Sequence, residues 1–443
     1  MSAVLGAAAG RARPGRGSLC WSEVGFVLAL LAAAAVTVDP FEWGLASHTL
    51  LKHLPLALAL VFWLLTAAGR GLRAVPGVPA AAAGIVRTAW PLLALSALIA
   101  CGSLYERWIG GVRDTFLNVG LYMLMVFVAA DMVCRSEAPV ALLRACLGVL
   151  LTAGAVMGAL LVTNYGVRQV YHEQIFLVIP LAVLGFAAQR RSALHWAIGI
   201  FFLSMAWFSQ KYTSYIVGAL TVAYILGAVA LPRLGPGPAL RRVTVTYWTL
   251  LAALAATALA VAAMLAHRAD LPTGNLGYRL HTYFQAWRRF TASPLWGTLF
   301  TAEAVRKFTP FSIGIAHNLL PTHSDVLDLL ANGGILGVGL WALGLGRIAR
   351  VAAREALAPR LLDQPEAPYA HALAMISIAG VTTYAFNPIL LQPPKAFLLW
   401  ACLGLLLGAA LRRRARPRNG ASAEESLRMK RARSRREPCL IPR

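Results

Sequence analysis

Residues 371–390 read HALAMISIAGVTTYAFNPIL, a run of 20 residues that contains no Asp, Glu, Lys or Arg. A helix of about 20 predominantly apolar residues is long enough to cross the hydrocarbon core of a bilayer. Similar runs recur along the chain, in which 58% of the 443 residues are hydrophobic and only 13% are charged. Soluble domains carry charge on roughly 25% of their residues. The sequence therefore predicts an all-α, polytopic integral membrane protein.

Twelve apolar runs are candidates for transmembrane helices. They are residues 23–38, 49–68, 86–104, 115–133, 139–162, 174–188, 193–209, 212–231, 246–266, 325–346, 371–390 and 395–411. No small-residue cleavage site ends the first run, so we expect a first span and not a signal peptide. The predicted organisation is a basic N-terminus (1–22), nine spans (23–266), an outer loop (267–324), three spans (325–411) and a basic, disordered tail (412–443).

The formal net charge of +23 is distributed unevenly about these spans. With the N-terminus in the cytoplasm, 27 Lys and Arg residues fall on the cytoplasmic side and 12 on the outer side. This is the asymmetry that the positive-inside rule requires, and an even number of spans returns both termini to the cytoplasm. The basic tail suits attraction to anionic membrane lipids. The positive charge thus gives no support to nucleic-acid binding.

The sequence also bears on metals and cofactors. All six cysteines lie in predicted spans or on the cytoplasmic side, so we expect no structural disulfide in the outer loop. No CxxC or HExxH pattern and no Gly-rich phosphate loop occurs in the sequence. We therefore expect a protein that uses neither a metal nor a cofactor.

The outer loop over 267–324 is the longest connection, and long loops with their own structure are usually functional. Apolar and aromatic residues recur there at helical spacing and predict an amphipathic helix over about 277–291. Arginines alternate with the aromatics, as in a helix that lies along the membrane interface. We expect Arg288 and Arg289 to contact lipid phosphates.

A first segment of the loop is Gly277-Tyr278-Arg279, followed by Trp287 and then by Pro294-Leu295-Trp296-Gly297. It resembles the arginine segment of the O-antigen ligase and polymerase superfamily, which ends in a P-x-x-G motif. Members of this superfamily are membrane glycosyltransferases that act on undecaprenyl-diphosphate-linked glycans. The resemblance implies that Arg279 is catalytic and binds diphosphate.

The second segment is similar to the family's catalytic histidine, which enters a helix with Leu at +4 and Gly at +11 and +14. From His323 these positions hold Leu327, Gly334 and Gly337. His317 precedes Asn318, the dipeptide more usual in the family, but its +4, +11 and +14 positions do not match. The predicted base is therefore His323, with His317 as the alternative.

The resemblance implies further properties. It implies a GT-C-like fold and an inverting, metal-independent transfer on the periplasmic face of a bacterial inner membrane. The donor would be an undecaprenyl-diphosphate-linked glycan, and the acceptor lipid A-core or a growing glycan. Arg168 and Lys211, both at outer ends of predicted spans, stand where related proteins carry basic residues that bind diphosphate. Independently of the resemblance, Asp325 and Asp328 are candidate supporting residues, because the helix dipole favours carboxylates at the start of the tenth span. Asp328 would orient the histidine or cap the helix.

These residue types suit that chemistry. An arginine presents planar donors that match phosphate oxygens, and it stays charged at any physiological pH. A histidine, with an unperturbed pKa near 6.5, can accept a proton from a sugar hydroxyl at neutral pH. His323, Arg279, Arg168 and Lys211 all fall on the outer side of the predicted topology, where a lipid diphosphate would present its head group.

Three alternatives remain open at the level of sequence. Ligases and polymerases of this superfamily share the motifs, so these motifs favour neither, and we lean only slightly to a ligase. A twelve-span transporter of lipids or glycans also fits the number of spans, but the sequence shows neither an internal repeat nor a long central cytoplasmic loop. A structural scaffold would leave both outer segments unexplained.

Overall fold

The computed structural model describes residues 19–39, 43–45, 48–71, 78–108, 119–163, 174–188, 192–209, 211–230, 275–300, 324–358, 361–387, 389–390 and 392–415. The predicted ninth span (246–266), both terminal segments and most of the outer loop lie outside the described residues, as do Arg168, His317 and His323. All regular secondary structure in the described part is helical.

The described helices follow one another along the chain. In order they are α1 (Trp21–Val38), α2 (Thr49–Gly71), α3 (Val78–Trp108), α4 (Leu121–Met123), α5 (Met125–Arg135), α6 (Pro139–Thr163), α7 (Ile175–Val178), α8 (Ala182–Ala187), α9 (Ala193–Phe208), α10 (Tyr212–Tyr224), α11 (Asn275–Ala292), α12 (Asp325–Glu355), α13 (Ala367–Phe386) and α14 (Pro393–Ala415). A 3₁₀ turn (Ile179–Leu181) joins α7 to α8, and a π-helical turn (Ile225–Ala230) extends α10.

Eight helices in the described ranges are long and apolar enough to cross a membrane. They coincide with the predicted spans 1, 2, 3, 5, 8, 10, 11 and 12. The predicted sixth and seventh spans form shorter apolar helices. The sixth is interrupted at Pro180, which lacks the N–H that an α-helix needs and lies in the 3₁₀ turn. The chain is an all-α, multi-pass membrane protein.

Helix α14 forms the centre of the bundle and is buried along its whole apolar length. It packs closely on α5 through two glycines. A methyl group at Gly404 would lie 2.5 Å from the carbonyl oxygen of Val126, and one at Gly408 would lie 2.6 Å from that of Ala130. Small residues of this kind let two membrane helices approach backbone to backbone. The contact holds the C-terminal helix inside the bundle.

Arginines satisfy main-chain carbonyls at the end of the bundle where α13 begins. Arg412 donates to the carbonyls of Val133 and Cys134, at 3.2 and 3.1 Å, in the last turn of α5. Arg413 pairs with Glu366, just before α13, at 2.8 Å. Positive charge is favourable at helix C-termini because their carbonyls point outward. These contacts gather basic side chains at this end.

Arg347 also satisfies main-chain carbonyls, in this case carbonyls of α3 that face α12. Pro91 lies within α3 and has no N–H to donate to the carbonyl of Arg87, four residues earlier. Arg347 donates to that carbonyl through Nη2 at 2.7 Å and to the carbonyl of Thr88 through Nε at 3.2 Å. The arginine from α12 therefore replaces the hydrogen bond that the proline removes from α3.

Because Arg347 supplies the hydrogen bond that Pro91 cannot, we predict that the effects of substituting these two residues are coupled. We expect Arg347→Met to lower the free energy of unfolding by about 1 kcal/mol, because it leaves the Arg87 carbonyl without a donor. In a Pro91→Ala background the alanine N–H can bond that carbonyl, so the same substitution should have a smaller effect. Thermal unfolding of the four proteins in detergent measures both effects, and equal effects in the two backgrounds would contradict the account.

Helix α12 is broken at Gly334, whose φ of 58° and ψ of −158° are not helical. The N–H groups of Ile335 and Leu336 follow the break. They donate instead to the carbonyls of Pro294 and Leu295, at 2.9 and 3.0 Å. A broken helix is tolerated in a membrane protein where neighbouring groups satisfy the freed backbone. The segment after α11 performs that function here.

The same segment also bonds to the residues before the break. The Phe300 N–H donates to the carbonyl of Asn332 at 3.1 Å. Gly297 has a φ of 57°, and a methyl group there would lie 2.5 Å from the Ala331 carbonyl oxygen. The two glycines, Gly297 of the P-x-x-G motif and Gly334 of the histidine segment, thus belong to one contact. Both are required by backbone geometry.

The break divides the predicted tenth span into two parts. Residues 325–333 pack on α11, where Leu327 and Ala331 contact Ala286 in a small buried cluster. Residues 335–355 form a helix of roughly 31 Å, since an α-helix rises about 1.5 Å per residue, and this length is sufficient to span a bilayer. Asp328, one turn into the predicted span, therefore lies in the part that packs on α11.

Candidate functional site

Two of the predicted site residues, Arg279 and Asp325, meet at the connection between α13 and α14. Helix α13 ends at Phe386, and α14 begins at Pro393. We call Phe386, Asn387, Ile389 and Leu390 the break segment. An extended residue, Asn387, ends α13 with φ of −148°, so the main chain here leaves groups that helical hydrogen bonds do not satisfy. Side chains from α10, α11 and α12 bond these residues.

Asp325, the first residue of α12, makes the shortest of these contacts. Its Oδ2 accepts the N–H groups of Ile389 at 2.6 Å and Leu390 at 2.9 Å. The side chain of Ser324 caps the helix by accepting the Leu327 N–H at 3.3 Å. Asp325 is 1% exposed. Its negative charge is favoured by both the two N–H donors and the N-terminal end of α12.

Arg279 reaches the break segment from α11. Its Nη1 donates to the Phe386 carbonyl at 3.1 Å, and its guanidinium is also in hydrogen-bonding contact with the Tyr283 hydroxyl, one turn further on. The residue is half-buried. A guanidinium has five N–H donors in a fixed plane. Arg279 is thus held in place by the protein while it retains the capacity to bond an anion.

Lys211 lies at the same end of the bundle because it precedes α10 directly. Two residues later, the Thr213 hydroxyl accepts a hydrogen bond from Asn387 Nδ2 at 3.3 Å. The start of α10 is therefore joined to the break segment. Lys211 itself is half-buried, so its position adds a second cationic side chain to this end of the protein.

Two tyrosines, Tyr283 and Tyr384, lie close to the carboxylates of this region. Burial raises the pKa of Tyr283 above its usual value of 10.0; Arg279 opposes this shift and Asp328 adds to it. Tyr283 consequently keeps its proton at physiological pH. Tyr384, near the end of α13, is buried, stacks on Trp341 with ring centres 5.3 Å apart, and lies within electrostatic reach of Asp325 and Asp328.

The raised pKa of Tyr283 predicts a loss of stability at alkaline pH. Folding favours the protonated hydroxyl, so its contribution is complete below pH 10.0 and is lost as the pH rises through the higher pKa of the folded state. Tyr283→Phe should remove this part of the alkaline loss. Unfolding temperatures in detergent between about pH 8 and 11 measure it, with exposed Tyr212→Phe as the control. An unchanged curve for Tyr283→Phe would contradict the prediction.

Of the seven residues that the sequence proposes for the site, the described part contains Arg279, Lys211, Asp325 and Asp328. The contacts above bring Arg279, Asp325 and the start of α10 to one break segment. His323 immediately precedes Ser324 in the sequence. Arg168, His317 and His323 are predictions that this geometry does not test.

The break segment was not among the residues predicted from the sequence to form the site. The signal was the pair Asn387-Pro388 at the end of an apolar run, which indicates only a helix end. Its importance depends on contacts with residues far away in the chain, such as Arg279, which precedes Phe386 by 107 residues. No local pattern records such a pairing.

Two cationic side chains, Arg279 and Lys211, therefore stand at one end of a helical bundle together with the buried carboxylate of Asp325 and the half-buried carboxylate of Asp328. Within the described ranges, no group of three or more His, Cys, Asp or Glu residues is arranged to hold a metal ion. Arginine with lysine is a combination that binds phosphate groups. The arrangement therefore offers an anion two cationic side chains, one from α11 and one directly before α10.

Comparison of the chain with protein-family models and with curated proteins finds no match. The residues at this end of the bundle, and the two outer-loop segments that resemble the O-antigen ligase and polymerase superfamily, are therefore what indicates a function.

Proposed function

We propose that the protein is a membrane glycosyltransferase that moves a glycan from undecaprenyl diphosphate to an acceptor hydroxyl on the periplasmic side of a bacterial inner membrane. The observation that supports this most is the common attachment of Arg279 and the start of α12 to the break segment. The resemblance makes Arg279 and His323 catalytic. Arg279 is held on that segment, and His323 stands two residues before Asp325, the helix start held there.

In the proposed reaction the acceptor oxygen bonds to the anomeric carbon of the glycan while the bond from that carbon to the diphosphate breaks. His323 takes the proton of the acceptor hydroxyl, and the lipid diphosphate leaves with the electron pair. A single displacement of this kind inverts the anomeric configuration. Arg279 stabilises the charge that develops on the leaving diphosphate, and Lys211 and Arg168 help to bind it.

The buried carboxylates are compatible with an anionic substrate. The Oδ2 of Asp325 accepts the N–H groups of Ile389 and Leu390, so main-chain donors stabilise part of its negative charge. The two described partners of the Arg279 guanidinium, the Phe386 carbonyl and the Tyr283 hydroxyl, are both uncharged. Its positive charge is therefore not neutralised by these contacts and remains effective toward phosphate.

The first experiment is transfer by the purified protein in detergent, with a defined undecaprenyl-diphosphate glycan and an acceptor. We expect Arg279→Ala to lower the rate by about 10²–10³-fold, as the loss of one donor to developing charge does in other enzymes. Arg288→Ala is the matched control, because Arg288 lies on the same helix but is exposed, with its guanidinium 5.8 Å from the Phe284 ring centre. Full activity of Arg279→Ala would exclude the catalytic role.

Within this function we favour an O-antigen ligase that joins O-antigen to lipid A-core over a polymerase that joins repeat units. Deletion of the gene distinguishes the two. A strain without the ligase should accumulate polymer on undecaprenyl diphosphate, whereas a strain without the polymerase should retain single repeats.

A second candidate function, transport of a lipid or glycan, is favoured by the break in α12. Discontinuous helices with satisfied backbone groups surround the substrate sites of many transporters. The same detergent assay separates the two functions. Turnover to a new glycoside without a sealed membrane supports the transferase, whereas movement of an unaltered substrate across vesicles with no product supports the transporter.

A further inference from the structure

Asp325 joins the start of α12 to the break segment, to which Arg279 of α11 is also bonded. Its carboxylate reaches from α12 to the main chain between α13 and α14, 64 and 65 residues away in the sequence. Arg279 reaches the same segment from α11. We propose that Asp325 is a positioning residue that fixes Arg279 relative to the start of α12. Its effect on transfer depends on the proposed function.

The contacts are arranged so that the break segment is held from several sides. Asp325 accepts from Ile389 and Leu390, Arg279 donates to Phe386, and Asn387 donates to Thr213 at the start of α10. Loss of the carboxylate would release two adjacent N–H groups. The Phe386 carbonyl would then be free to shift, and with it the guanidinium that it holds.

The burial of Asp325 supports a structural use of its charge. A carboxylate that is 1% exposed is costly unless donors surround it. Here two main-chain N–H groups and the first turn of α12 supply that stabilisation. Its Oδ2 lies 2.6 Å from the Ile389 nitrogen. The proposed role of Asp325 is therefore to hold the main chain of the break segment, and with it Arg279, in position.

Two substitutions separate a positioning role from a chemical one. Asp325→Ala removes both acceptor oxygens, and we expect kcat to fall roughly 10- to 100-fold, as displacement of a reacting group by about 1 Å can cause. Asp325→Asn keeps one oxygen that can accept the same N–H groups. It should restore kcat to within about 5-fold of the wild type, because a neutral acceptor weakens these bonds without removing them. Asp363→Ala, at an exposed carboxylate in the turn after α12, is the control.

If Asp325→Asn is as inactive as Asp325→Ala, the carboxylate itself takes part in the chemistry and the positioning role is wrong. The same conclusion follows if Asp325→Ala retains full activity. A positioning role also predicts that the KM for the lipid-linked donor changes less than kcat.

A second measurement does not depend on any enzymatic activity. The amides of Ile389 and Leu390 should exchange hydrogen slowly in the wild type and in Asp325→Asn. In Asp325→Ala they lose their acceptor and should exchange at least about 10-fold faster, which corresponds to about 1.4 kcal/mol in the free energy of local opening. In thermal unfolding, Asp325→Ala and Arg279→Ala should be non-additive, since both act on the break segment. Unchanged exchange or strict additivity would overturn the positioning role.

These results also distinguish failure of the two proposals. A wild-type protein that transfers no glycan, but shows fast amide exchange in Asp325→Ala and coupling with Arg279, would exclude the transferase and retain the positioning of Arg279. If the wild type is active and Asp325→Ala changes neither the transfer rate nor amide exchange, the transferase proposal is retained and the positioning role is excluded.

Discussion

His323→Ala is expected to lower the rate of glycan transfer by about 10²–10⁴-fold, the usual contribution of a general base. The alanine leaves no group to take the proton of the acceptor hydroxyl. In the proposed reaction the cationic side chains bind the lipid diphosphate, so donor affinity should change little. Single-turnover product formation from a defined undecaprenyl-diphosphate glycan measures the effect, with donor binding determined separately.

His317→Ala provides the matched control for this prediction. His317 lies in the same predicted outer loop but lacks the spacing to Leu327, Gly334 and Gly337 that His323 has. We expect its transfer rate to remain within about 3-fold of the wild type, because the base is still present. If the His317→Ala variant is inactive and the His323→Ala variant is active, the assignment of His323 as the base is wrong and His317 is the base.

Gly334→Ala is expected to destabilise the protein by several kcal/mol, of the order seen for overpacked sites combined with backbone strain. The residue has a φ of 58°, which side chains other than glycine rarely adopt. Its new methyl group would also lie 2.5 Å from the carbonyl carbon of Leu295 and 2.6 Å from the Trp296 nitrogen. These are backbone atoms, so relief requires that the contact with the segment after α11 open.

Gly339→Ala is the control for the same helix. No heavy atom lies within 4 Å of the position that its methyl group would take. Alanine is favoured over glycine in a helix by about 1 kcal/mol, so this variant should be as stable as the wild type or slightly more stable. Thermal unfolding and gel filtration in detergent compare the two variants. A Gly334→Ala protein with wild-type stability would show that the break in α12 is not required.

The spans were largely predictable because each depends on a local property. About 20 apolar residues in succession favour a membrane helix whatever surrounds them. The interruptions were harder to foresee. Pro180 breaks the predicted sixth span through its own chemistry, whereas the break at Gly334 exists because residues 293–300 bond the main chain on both sides of it.

The candidate site was predictable only residue by residue. The sequence identified Arg279 and Asp325 from two separate segments. It contained no sign that both bind the break segment, because that pairing joins α11, α12 and the end of α13 in space. The role of Tyr283 beside Arg279 was missed for a different reason, since its helical spacing indicated only an apolar face.

The sequence by itself determined that the chain is a multi-pass helical membrane protein, since apolar length and charge asymmetry act locally and additively along the chain. It also identified the glycines at 297 and 334 without explaining them. The tertiary structure decided that these glycines form one contact, that α12 is broken there, and that Arg279 and Asp325 share a segment. Such features depend on hydrogen bonds between distant residues, and those bonds form only when the helices have packed.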